Sequence, residues 1–152
     1  MSKICIAVFD AVSNSIALEN MIKALAISYH LGVAFELAYE EPFLSEICDS
    51  NKLICDFSDR PNSDNCELLL LPDGCSFNGS KNIVSFASRM ARLEVILTAI
   101  LKQAGSVDLF VGDSGTALDS FKEYTFSICD LSKNIGILNT IAPPDVHFRI
   151  TR

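Results

Sequence analysis

The sequence predicts an α+β fold: a mixed or mainly antiparallel sheet of about six to seven strands with two main helices packed on it. Two observations lead there. Only two long segments carry a helical period among roughly seven strand-like runs, and that is too few crossovers for an all-parallel sheet, in which each pair of neighbours needs a long connection. Two runs, Ile4 to Phe9 and Leu68 to Leu71, are apolar at every position. Such runs mark central strands covered on both faces, which leaves a three-layer arrangement open.

In chain order, Ile4 to Phe9 is the first strand and Asp10 ends it. A helix follows from about Ser15 to Leu31, because Ile16, Leu18, Met21, Ile22, Leu25, Ala26 and Tyr29 recur at spacings of three and four. Ser13 or Asn14 can cap its start, and Gly32 suits the residue just past its end. Val33, Phe35, Leu37 and Tyr39 alternate with Ala34, Glu36, Ala38 and Glu40, the period of a strand, which Pro42 bounds. Leu53 to Phe57 and Cys66 to Leu71 are two more strands around the turn-rich stretch from Ser58 to Asn65. After the Pro72-Asp73-Gly74 turn, Gly79-Ser80 opens the longest helix, with Ile83, Phe86, Ala87, Met90, Leu93, Leu97, Ile100 and Leu101 on its buried side and Arg89 and Arg92 on its polar side. Val107 to Val111 and Tyr124 to Cys129 are strands, and after Pro143-Pro144 the alternating Val146, Phe148 and Ile150 suit one short edge strand.

The chain has 152 residues, 49% apolar and 20% charged, which describes one globular domain over 1–152 that needs neither disulfides nor a metal to bury a core. No internal repeat, low-complexity tract or linker argues for a second domain. The apolar start stops at Asp10, short of a signal peptide, and the most apolar long stretch, Ile83 to Leu101, carries Arg89, Arg92 and Glu94, too many charges for a lipid-facing helix. A cytosolic, non-membrane protein is the expectation. Six cysteines, at 5, 48, 55, 66, 75 and 129, form no C-x-x-C, and only His30 and His147 could complete a metal site. In the cytosol Cys5, Cys55, Cys66 and Cys129 read as buried thiols within strands, whereas Cys48 and Cys75 fall in loop-like sequence where a thiol could react.

The net charge of −7 is local. Residues 36–73 hold ten acids (Glu36, Glu40, Glu41, Glu46, Asp49, Asp56, Asp59, Asp64, Glu67 and Asp73) against Lys52 and Arg60, a balance of −8, while the other 114 residues balance at +1. Nucleic acid is a poor partner for such a chain, since phosphate binding needs clustered Lys and Arg. A basic protein partner fits; the plainer reading is that the acids solvate loops and keep the protein soluble.

Two motifs suggest catalysis or ligand binding. Gly74-Cys75-Ser76-Phe77-Asn78-Gly79-Ser80-Lys81 sits between a strand and a helix, as a P-loop does, but its serine precedes the lysine where a P-loop has lysine then hydroxyl. Its plain reading is a turn and a helix start whose free amides can hold an anion; the alternative function it offers is phosphate or nucleotide binding. Gly112-Asp113-Ser114-Gly115 is similar to the sequence around the nucleophile of trypsin-like proteases, but the triad also requires a placed base and acid, and the four residues are strong turn formers. His30 closes a helix and His147 alternates outward from Val146 and Phe148. Glu40 and Glu41 point to opposite faces if their strand continues, and no calcium-loop pattern is present.

In the last third, Val107 to Thr116, Phe121-Lys122-Glu123-Tyr124 and Pro144-Asp145-Val146-His147-Phe148 resemble small bacterial immunity proteins, the partners of polymorphic toxins including those of contact-dependent growth inhibition. The resemblance covers about 45 residues and carries no catalytic residue. It implies a cytosolic single-domain protein that binds a cognate toxin domain and blocks its active site. Combined with the local acidity, the expectation is a non-enzymatic inhibitor with no cofactor and no metal, binding a basic toxin, a nuclease above all. The carboxylates of Glu40, Glu41, Glu46, Asp49, Asp56, Asp59 and Asp64 would steer the encounter, and Phe43, Leu44 and Phe57 would supply apolar anchors.

Overall fold

The computed structural model describes residues 3–9, 15–28, 31–35, 41–47, 52–59, 80–113, 115–138 and 144–152. Among these residues six strands form one sheet in the order β2-β3-β1-β4-β6-β5: β1 Lys3–Phe9, β2 Leu31–Ala34, β3 Leu53–Asp59, β4 Ser106–Asp113, β5 Lys122–Ser127 and β6 Val146–Thr151. Every pairing is antiparallel except β5 with β6. The α+β class and the mixed, mainly antiparallel sheet are therefore as the sequence predicts.

The apolar run of β1 is central, between β3 and β4, and both of its faces are covered. Cys5, Ala7 and Phe9 join the larger core, together with Leu53, Cys55 and Phe57 of β3, Val107, Leu109 and Val111 of β4, and Val146, Phe148 and Ile150 of β6. Two helices lie over that face, α1 Ser15–Ser28 through Leu18, Ile22 and Ala26, and α3 Ser80–Ala104 through Leu93, Ile96, Leu97, Ile100 and Leu101. These spacings of three and four put each set on one helical stripe. Helix α3 stops at Gly105, whose φ of +82° suits the left-handed residue that ends a helix, and its N–H donates to the Leu101 carbonyl at 3.3 Å. The Arg152 guanidinium donates to the carbonyls of Leu101 and Lys102, giving the exposed carbonyls of the last turn a cation.

Ile6 and Val8 of β1 point the other way, into a second, smaller core with Phe110 of β4, Phe121, and Phe43 and Leu44 of α2 Pro42–Ile47. Helix α2 is a feature of this face that periodicity does not reveal. Pro42 at its first position needs no amide partner, and the Leu44 N–H reaches the Glu41 carbonyl at 3.1 Å.

Several expectations are corrected. Helix α1 ends at Ser28, and Gly32 is not its terminator but part of β2, paired with Ser58. The strand expected to run through Tyr39 ends at Ala34, and residues 36–40 lie outside the described set. Strand β5 starts two residues earlier than expected and stops at Ser127; Ile128–Asp130 forms a 3-10 turn that leads into α4 Leu131–Ile135, so Cys129 is exposed rather than buried in a strand. The closing strand is internal, not an edge: β6 pairs with β4 on one side and β5 on the other, while its alternate residues Val146, Phe148 and Ile150 are fully buried on one face. The expected strand Cys66 to Leu71 and the 72–79 turn lie outside the described residues.

Candidate functional site

Helix α2 decides what the acidic segment can present. Its sequence places Phe43 and Leu44 inward and Ser45 and Glu46 outward, with the Ser45 hydroxyl donating to the Pro42 carbonyl at 2.9 Å. Phe43 stacks on Phe110 with ring centroids 4.4 Å apart and meets Phe121 edge-on at 5.1 Å. Phe57 is equally inaccessible, in the larger core under α1 and α3. The three apolar anchors that position suggests, Phe43, Leu44 and Phe57, are thus core residues with no surface to offer a partner. Their apolar character is used internally, to seat α2 and the β3 strand.

Glu41 is committed internally too. It is 9% exposed, and its Oε2 accepts the Gly115 N–H at 2.6 Å, tying the chain ahead of α2 to the turn after β4. Asp145 grips the same turn from the other side: its carboxylate accepts the Asp113 N–H at 2.9 Å and the Thr116 hydroxyl at 3.1 Å. The approach is so close that a Cβ on Gly112 would stand 2.8 Å from Asp145 Cγ and 2.9 Å from its Cβ. Gly115 holds φ at +88°, a conformation that favours glycine. Gly112, Asp113 and Gly115 are therefore held by carboxylates from both sides; Ser114 lies outside the described residues.

Of the remaining acidic candidates, Glu46 is exposed on α2, and Asp56 is half-buried on the second face of the sheet, opposite Ile6 in register. Glu40, Asp49 and Asp64 lie outside the described residues, as do the side chain of Asp59, the thiols of Cys48 and Cys75, and the 74–79 part of the phosphate-loop alternative. Ser80 does open α3, as a loop-to-helix reading requires.

Sequence reasoning missed a polar cluster on the same sheet face, at the β6 end. Asp108, His147 and Arg149 come together because β4 and β6 pair Asp108 with Arg149 and Phe110 with His147. The Asp108 Oδ1 lies 2.8 Å from His147 Nε2 and 3.3 Å from Arg149 Nε. The imidazole stacks on Phe110 at 4.1 Å between centroids, so His147 is mostly buried instead of a plain outward residue. This is an orienting carboxylate–histidine pair, but among the described residues no hydroxyl or thiol bonds the other ring nitrogen, so no nucleophile is activated by it. Two of the thiols are also disarmed. Burial, with a smaller push from Asp56, raises the Cys5 thiol well above its ordinary range; burial, with smaller pushes from Glu19 and Asp56, raises that of Cys55. A thiol held protonated is neither nucleophile nor metal ligand. Among the described residues no three His, Cys, Asp or Glu side chains converge to hold a metal ion, and no helix is long and apolar enough to cross a membrane.

Comparison with family models, with curated proteins and with solved structures finds no match to this chain. Its function has to be argued from its own charge and geometry.

Proposed function

We propose that the protein is a cytoplasmic immunity protein: a non-enzymatic inhibitor that binds a basic toxin domain, of nuclease type, and occludes its active site. The observation that carries this reading is the charge segregation, with −8 concentrated in residues 36–73 and +1 over the rest of the chain. A nuclease active site is built to receive phosphates, and a surface of carboxylates competes for the same Lys and Arg side chains. The geometry narrows the group that does so. Phe43, Leu44, Phe57 and Glu41 stay in the fold, and the steering falls to Glu46 on the outer side of α2 and to its neighbours in sequence, Glu40, Asp49, Asp56, Asp59 and Asp64. Charges of this kind act first on encounter rate and on the choice of partner.

The test is capture by the tagged full-length protein from extracts of its native host across a range of salt, followed by expression of the retained protein with and without this chain. The reading expects a stoichiometric basic protein, released as salt rises, whose toxicity this chain suppresses. Retention of proteins that are not basic, or retention that is unchanged at roughly 0.5 M salt, where surface charges are screened within a few ångströms, contradicts it.

A further inference from the structure

The Asp108 cluster opens onto a hollow of about 230 Å3 lined by Ser106, Asp108, Thr125, Arg149 and Thr151, together with the intervening Val107 and Ile150. The register explains why these side chains meet. Ser106 pairs with Thr151, Asp108 with Arg149, and Arg149 in turn with Thr125, so alternate residues of three adjacent strands project from one face. The hydrogen-bonding capacity around the hollow is largely unspent. Both contacts of the Asp108 carboxylate, to His147 and to Arg149, fall on Oδ1, and Arg149 makes its contact through Nε. Among the described residues nothing engages Asp108 Oδ2, the two terminal nitrogens of Arg149, or the hydroxyls of Ser106, Thr125 and Thr151.

We propose that this hollow binds a free α-amino acid, with the ligand carboxylate on the terminal nitrogens of Arg149 and the ligand ammonium on Asp108 Oδ2. A purely anionic ligand would meet the Asp108 carboxylate, and a purely cationic one the guanidinium; a zwitterion meets each with its opposite. Spacing sets the class further. The site's own charges touch, at 3.3 Å, and therefore match a ligand whose two charged groups are held on one carbon, not one whose charges are several carbons apart. Asp108 and His147 are only 17% and 12% exposed, so the acid is held in place before a ligand arrives, by the imidazole that Phe110 supports. The three hydroxyls add donors and acceptors at the rim, suited to a polar side chain, and the volume admits a ligand below drug size.

The test is a titration of the isotope-labelled full-length protein with L-serine, read by the backbone amide signals of Ser106, Thr125, Arg149 and Thr151. Propionate, ethanolamine and γ-aminobutyrate serve as carboxylate-only, amine-only and wide-spaced controls. The proposal expects saturable shifts at these four amides with half-saturation on the order of 1 mM, and binding of each control at least about tenfold weaker. Arg149→Gln, at a side chain exposed enough to leave the fold intact, removes the response while the remaining spectrum is preserved. Absence of saturable shifts at tens of millimolar L-serine overturns the proposal, as does propionate binding as tightly as L-serine or an Arg149→Gln variant that still responds.

Discussion

Phe43→Ala separates a core residue from an interface residue more sharply than any other change in this chain. The side chain is fully buried and stacked against Phe110 and Phe121 at 4.4 and 5.1 Å, and with Leu44 it is what holds the six-residue α2 on the sheet. Truncating a buried phenylalanine costs about 3–5 kcal/mol, the lower figure applying where the surroundings can settle into the space. A helix this short can settle, so the expected cost is about 3 kcal/mol. At 2–4 °C per kcal/mol for a chain of this size, the midpoint of thermal unfolding should fall by roughly 10 °C. Calorimetry, or urea unfolding followed by circular dichroism, measures it, with Glu46→Ala as the matched control on the outer side of the helix, expected within about 0.5 kcal/mol of the parent. The association rate with a captured partner should be unchanged at temperatures where the variant is folded. A Phe43→Ala protein whose midpoint stays within about 2 °C of the parent, or one that keeps its stability and loses binding, refutes the assignment of Phe43 to the core.

Four further outcomes follow from the same packing. Cys5 and Cys55 should resist alkylation in the native protein and react only on unfolding, with Cys129 modified first among the described thiols, as peptide mass mapping would show; rapid native labelling of Cys5 would contradict its burial. Because the folded protein holds both buried thiols protonated above their unfolded range, their contribution to stability is complete below about pH 8.5 and is lost as pH rises, by up to about 1.4 kcal/mol per pH unit for each thiol. Unfolding free energies measured under reducing conditions should show that decline, and Cys55→Ala should shallow it. Gly112→Ala should cost about 1–3 kcal/mol, since its methyl displaces the Asp145 carboxylate from Asp113 and Thr116. Glu41→Ala should cost a similar amount by leaving the Gly115 amide without its acceptor, while Glu41→Gln, which keeps an oxygen there, should recover most of the loss; equal losses in the two variants would show that this bond is not what matters.

How much of this was legible in the sequence depends on the range of the interaction involved. The unbroken apolar run of β1 announced a central strand, and it stands because alternate residues enter the two cores on either side of the sheet; the three-and-four spacing from Leu93 to Leu101 announced the buried side of α3, and it stands because that stripe packs on the larger core alone. The position of β6 within the sheet was not legible. Val146, Phe148 and Ile150 gave the alternation of β6, but alternation is the same for an edge strand and an internal one, and only its pairing with both β4 and β5 distinguishes them. The same limit hid the polar cluster: Asp108 and His147 are 39 residues apart, and their meeting depends on a register that no local pattern encodes. Helix α2 was too short to show a period, so Phe43 and Leu44 read as free apolar residues in an acidic stretch when they were in fact its attachment to the sheet. Cys129 followed from the late end assigned to β5; with the strand finished at Ser127, its thiol falls in a surface turn.

The central claim is that local acidity steers this chain onto a basic partner, and association kinetics with the captured partner test it most directly. Reversing three of the steering charges in Glu40→Lys/Glu46→Lys/Asp59→Lys should slow association at low salt by at least about tenfold and flatten its dependence on ionic strength. An association rate and a salt dependence equal to those of the parent would remove the acidic segment from the interface and, with it, the account of what this protein binds.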